Sequence, residues 1–131
     1  MVRVSVSVDV APPWVFEEPG WQELGFGHSD EWFYLWSARR VIAFRRDDLS
    51  LAPAETETDD DIRLAFPVGS GWLLVCETSV QLFEGSKMVA DIEFDEVIVE
   101  THWSDQELRI RDMQDRLTVV RIVAGTLEWN G

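Results

Sequence analysis

At 131 residues, 46% of them hydrophobic, the chain is long enough for one core and too short for two, since domains commonly run to about 100–150 residues. Seven Trp, seven Phe and one Tyr argue against disorder, because segments that cannot fold are poor in aromatic residues. A formal charge of −14, from 25 acids against 11 bases, argues against direct binding to DNA, RNA or anionic lipid, all of which call for clustered Lys and Arg.

In chain order, Val2, Val4, Val6, Val8 and Val10 alternate with Arg3, Ser5, Ser7 and Asp9, the period-2 pattern of a half-buried antiparallel strand. No run of apolar residues typical of an export signal is visible there, and no stretch of about 18 apolar residues occurs anywhere, so a cytoplasmic protein is expected. The Pro12-Pro13 pair reads as a break. Residues 14–44 hold nine of the fifteen aromatics, with Pro19-Gly20 and residues 25–27 as turn signals. Within them, residues 30–40 suit either a short helix, acidic at its start and basic at its end, or two strands at 32–36 and 41–46. The aromatic run favours strands.

Residues 47–61 contain seven carboxylates and no base, and residues 55–61 read as an exposed acidic loop. Beyond it, β-type segments recur about every ten residues, at 62–66, 72–76, 80–83, 88–94, 97–101, 108–110, 117–123 and 126–129. This rhythm predicts one all-β domain over residues 1–131, an antiparallel meander forming a sandwich or open barrel, with one short helix as an option. It also resembles propeller blades, but the length suffices for only two or three, so a sandwich or open curved sheet is preferred.

Residues 47–61 and 77–107 together sum to −15, against +1 for the rest of the chain, so the imbalance is local. Asp91, Glu93 and Asp95 alternate with Ile92 and Phe94, and a strand would set the three carboxylates on one face, spaced by roughly 7 Å. They read as a solvated face softened by Arg109 and Arg111, or as a surface for the Lys and Arg of a partner; a divalent metal ranks third. Glu55, Glu57, Asp59, Asp60 and Asp61 carry the same two readings. Trp21 and Trp103, beside turn signals, are the candidate aromatic anchors. His28 and His102 are the only histidines, too few for a multi-His metal site. His102, Ser104 and Asp105 have the residue types of a catalytic triad but sit adjacent in sequence, which rarely delivers that geometry. Cys76 reads as a buried thiol, and Gly25-Phe26-Gly27 lacks the setting of a nucleotide loop. No catalytic residue, metal or cofactor is expected.

Small size, local acidity, abundant Trp and no catalytic motif give the chain a layout that resembles the immunity proteins of bacterial toxin systems, including contact-dependent growth inhibition. That resemblance implies a cytoplasmic inhibitor covering the active site or substrate groove of a cognate basic toxin, such as a nuclease. The acidic residues named above would then meet the toxin's cationic groove and steer association. Two alternatives remain open: a small-molecule-binding β-barrel or enzyme, with His28 and His102 converging on an aromatic pocket, and a nucleic-acid mimic that blocks a DNA-binding protein.

Overall fold

A computed structural model describes residues 24–130 in full and, before them, the strands β1 (Val2–Val8) and β2 (Ala11–Glu18). These two pair antiparallel. The Pro12-Pro13 pair lies inside β2 and does not end it; the register shifts between Val6 and Val8, opposite the prolines, so the regular ladder is interrupted where an N–H is missing.

Twelve strands follow, in three antiparallel four-stranded sheets. Sheet I holds β3 (Gly25–His28), β4 (Trp32–Trp36), β5 (Arg40–Arg45) and β6 (Ala54–Glu57). Sheet II holds β7 (Ile62–Val68), β8 (Gly71–Cys76), β9 (Ser79–Glu84) and β10 (Lys87–Glu93). Sheet III holds β11 (Ile98–Ser104), β12 (Glu107–Asp112), β13 (Leu117–Val123) and β14 (Thr126–Asn130). The fold is thus all-β and the expected meander is present, divided into three sheets without barrel closure. Among the described residues every regular element is a strand, so residues 30–40 take the strand alternative. Trp32, Tyr34 and Trp36 share one face of β4 and pack toward sheet II, an i, i+2, i+4 arrangement that a helix would scatter.

Besides β2, two strands were not expected. β3 is built on Gly25-Phe26-Gly27, whose glycines face Trp36 and Tyr34 across the ladder; a Cβ at either would collide with those rings, so glycine here makes room for aromatics rather than for a turn. β6 occupies the start of the supposed acidic loop and pairs with β5 along Arg40↔Glu57 and Ile42↔Glu55.

Sheet II is the middle layer. Leu73, Val75, Val80, Leu82 and Ile92 face Leu108, Ile110, Val120 and Leu127 of sheet III, whereas Ala65, Trp72, Leu74, Cys76 and Phe83 face Val41 and Ala43 of sheet I. All of β8 is therefore buried, which explains its unbroken apolar sequence: a strand covered on both faces has no reason to alternate. Truncating a side chain such as Leu74, fully buried, typically costs about 2–5 kcal/mol.

The three sheets repeat one unit. Thr58 N–H donates to Arg39 O at 3.0 Å and, 36 positions on, Phe94 N–H donates to Thr78 O at 2.8 Å. Ile62 N–H donates to Ala38 O at 2.6 Å and Ile98 N–H to Glu77 O at 2.9 Å, while Glu77 N–H to Asp61 O and Met113 N–H to Val97 O are both 3.0 Å. Sheets I and II thereby each hand the last strand to the central turn of the same sheet before the next begins.

Equivalent positions also show why the stack stops being apolar at sheet III. Leu73 and Val75, which face sheet III, correspond to Arg109 and Arg111 on the outer face of that sheet, where each cation meets a carboxylate. Arg109 Nε reaches Glu107 at 3.0 Å, Arg121 reaches the same Glu107 at 3.0 Å, and Arg111 bonds Glu100 and Asp115. A polar outer face of this kind ends a repeat stack and keeps it soluble. The double substitution Arg109→Leu, Arg111→Val restores the apolar pattern of sheet II, and sedimentation velocity is expected to show greater association than for the unsubstituted chain; an unchanged sedimentation coefficient would count against the capping role.

Candidate partner-binding edge

The two inter-sheet connections, residues 58–61 and 94–97, lie at repeat-equivalent places beside the central turns of sheets I and II. Their sequences correspond as well. Ala54-Glu55-Thr56-Glu57-Thr58-Asp59-Asp60-Asp61-Ile62 aligns with Ala90-Asp91-Ile92-Glu93-Phe94-Asp95-Glu96-Val97-Ile98, with Ala, Glu, Asp and Ile at matching positions. Both acidic segments singled out from the sequence are thus copies of one element, the exit from a fourth strand.

The structure divides these acids into two groups. Some are used internally. Asp60 accepts hydrogen bonds from Ser79 Oγ at 2.6 Å and Gln81 Nε2 at 3.3 Å, and Thr58 Oγ1 donates to Gln81 Oε1 at 2.5 Å. Buried Thr56 donates from Oγ1 to Gly85 O at 3.1 Å, fixing β6 to the β9–β10 turn. Asp61 pairs with Arg39 at 3.0 Å and Glu55 lies 3.8 Å from Arg40. The remainder, Glu57, Asp59, Asp91, Glu93 and Asp95, are exposed and have no cation of the described residues within ion-pair distance.

Asp91 and Glu93 share one face of β10, opposite Gln81 and Ser79. Asp95 does not continue their row. The strand ends at Glu93, where Phe94 N–H turns to Thr78 O, so the expected stripe of three carboxylates is two on the strand and one in the connection. Arg109 and Arg111 do not soften it, because they lie on the outer face of sheet III with their own acids. Partial burial raises the Asp91 carboxyl above its ordinary value, and the Asp60 charge raises it further. Asp60 bonds Ser79 and Gln81, which pair with Glu93 and Asp91 across the β9–β10 ladder, so the two acidic segments meet on one edge at the boundary between sheets I and II.

Beneath them lies Cys76, fully buried, its thiol pushed up to about 12 chiefly by burial, with Asp60, Asp91 and Asp61 adding to the shift against a hydrogen bond from Ser79. Such a thiol is inert at neutral pH. Ser37, Cys76 and Asp112 occupy equivalent positions at the ends of β4, β8 and β12, all buried. Asp112 completes the edge: burial alone would raise its carboxyl, but the N–H groups of Arg116 and Gln114 and the Arg116 guanidinium, at 3.0 Å, hold it below the usual range.

The other candidates disperse. His28 pairs with Phe33 on sheet I and His102 with Arg109 on the outer face of sheet III, so sheet II stands between them. They cannot converge on one pocket, and no hydrogen bond among the described residues joins His102 to Ser104 or Asp105. Trp103 is half-buried against the sheet II–III core and stacks on Phe66, with ring centroids 5.6 Å apart. Trp21 lies outside the described residues. Trp129 was not singled out from the sequence; it is 58% exposed and walls a cleft of about 370 Å³ between sheets II and III, with Glu93, Asp95 and Leu117. Among the described residues, no three His, Cys, Asp or Glu side chains group to hold a metal, and no helix is long and apolar enough to cross a membrane. Comparison with models of known protein families and with curated proteins finds no match to this chain.

Because the folded chain raises the Asp91 pKa, the ionised carboxylate opposes folding above that raised value, and the penalty is relieved as pH falls through it toward the ordinary value. Asp91→Asn is therefore expected to raise the melting temperature by a few degrees at pH 7, with the gain vanishing in acid below the usual carboxylate range, as followed by circular dichroism. An Asn variant less stable at pH 7 would contradict a carboxylate penalised by burial and by the Asp60 charge.

Proposed function

We propose that this chain is a binding protein that uses its acidic edge to capture a basic protein, in the manner of an immunity protein covering the cationic substrate groove of a cognate toxin in the cytoplasm. The observation that carries this reading is the convergence of the two acidic segments on one edge, with Glu57, Asp59, Asp91, Glu93 and Asp95 without an ion-paired cation among the described residues. Carboxylates that served only folding would be matched, as Asp60, Asp61 and Asp112 are. Unmatched charge concentrated on one edge costs some stability through self-repulsion, and it supports fast, oriented association with an oppositely charged surface.

A nuclease groove suits the chemistry, since an inhibitor presenting carboxylates to the phosphate sites of such a groove excludes its substrate. Catalysis by this chain finds no support in the arrangement of His28, His102 and Cys76. A nucleic-acid mimic shares the electrostatics, and the identity of the captured partner separates the two.

The test is affinity capture from the native host with the tagged chain, retained proteins being identified by mass spectrometry. Reversals belong at positions that the fold does not use: Asp59→Lys with Glu93→Lys, rather than Asp60 or Asp61, whose hydrogen bonds tie sheet I to sheet II. The expected result is one stoichiometric basic toxin domain, held at least about tenfold more weakly by the double reversal and released more readily by salt. A specific partner indifferent to the reversal would remove the acidic edge as the binding surface, and a captured DNA-binding regulator would replace the toxin reading.

A further inference from the structure

The stack ends in charge at sheet III but in aromatic rings at sheet I. Trp32, Tyr34 and Trp36 point to sheet II, so Phe33, Leu35 and, across the ladder from Leu35, Phe26 lie on the face turned away from it. That face is divided. Toward β5, Leu35, Ile42 and Phe44 are buried together, whereas on β4 and β3 Phe33 is 38% exposed and Phe26 65%. With Ser37, Cys76 and Asp112 in register, Phe33 is the equivalent of Trp72 and Leu108, which are 5% and 0% exposed, and Phe26 is the equivalent of Ala65, 2% exposed. The sister positions are covered by the first two strands of the preceding sheet. Trp72 meets Tyr34 and Trp32, with ring centroids 5.0 and 6.3 Å away, and Trp103, paired with Leu108, stacks on Phe66. Before sheet I the described strands are β1 and β2, two where each later sheet has four. They precede the connection to sheet I as third and fourth strands precede the later connections, so the half that elsewhere lies over strands one and two has no counterpart among the described strands.

We propose that Phe26 and Phe33 floor a seat for a β-hairpin of another protein, which pairs with the second edge of β1 and completes a four-stranded sheet over β3 and β4. Main-chain hydrogen bonds to an open strand edge supply affinity in such an addition, and alternate side chains supply selectivity. The inner face of the hairpin is aromatic or branched aliphatic, as the face over Trp72 is. Its polar positions are neutral or acidic, because the Arg46 guanidinium stands 4.8 Å over the Phe33 ring and would repel a base there. This seat is separate from the acidic edge, which selects bases, and neither reading depends on the other.

The probe is a peptide of residues 25–36, the strand pair that covers Trp72, closed head to tail through a D-prolyl-glycine turn because an open two-stranded hairpin is marginal in water. The full chain with 15N-labelled phenylalanine is titrated with it and with a version carrying Trp32→Thr, Tyr34→Thr and Trp36→Thr. The amide signals of Phe26 and Phe33, identified by their loss in Phe26→Thr and Phe33→Thr, are expected to shift saturably with the first peptide and not with the second. By calorimetry, the chain with Phe26→Thr and Phe33→Thr together should bind the first peptide at least about tenfold more weakly, while circular dichroism shows it still folded, both side chains being exposed. Asp59→Lys with Glu93→Lys, on the acidic edge, should change the affinity by less than about twofold. Unmoved Phe26 and Phe33 signals, an equal response to the threonine peptide, or undiminished binding by the folded double variant would overturn the proposal. So would a concentration-dependent shift of the same two signals in the chain alone, which would assign the face to a second copy.

Discussion

Burial of sheet II on both faces is the constraint from which the rest follows. With β8 entirely covered, the two flanking sheets must each offer an apolar face to it, and they do so through different residues. Sheet I uses small Val41 and Ala43 with the rings of Trp32, Tyr34 and Trp36; sheet III uses Leu108, Ile110, Val120 and Leu127. Hydrophobic burial is non-directional, so it fixes the layering but not the offset between layers. The offset comes from the backbone bonds that tie the ends of β6 and β10 to the central turns of their own sheets.

Those same bonds determine where charge can go. The carboxylates of the connections cannot spread along the molecule, because each connection reaches the next sheet in four residues. Two acidic copies of one connecting element therefore fall on one edge. Part of the charge is absorbed by Ser79, Gln81 and Arg39. The remainder has no ion pair among the described residues, and the Asp91 carboxyl is raised by its partial burial and, further, by the charge of Asp60. On the opposite kind of surface, the outer face of sheet III, an arginine meets each acid it needs, which makes the unmatched edge a local property rather than a general excess.

Most of the fold was legible in the sequence because most strands have one wet face. Segments from residue 62 onward alternate or are bounded by polar turns, and their predicted limits lie within about three residues of the observed ones. The losses have specific causes. β3 was hidden by two glycines that serve as seats for Trp36 and Tyr34, β6 by an acidic composition that reads as loop, and β2 by a proline pair accommodated at a shift in register. The acidic residues of the edge were visible as charge runs, but their division into used and unused carboxylates was not, since it depends on Ser79 and Gln81 arriving from another strand. The match between residues 54–62 and 90–98 was available in the sequence and would have placed both runs at one structural position. Trp129 carried no such signal: its exposure depends on which sheet stands beside it.

The most direct measurement is amide hydrogen exchange of the chain alone and in complex with the basic partner captured from its host, compared residue by residue. New protection confined to residues 57–61 and 91–96, with the outer face of sheet III unchanged, is what a one-sided acidic edge predicts. Protection concentrated on β11 to β14, with residues 57–61 and 91–96 exchanging as in the free chain, would contradict it.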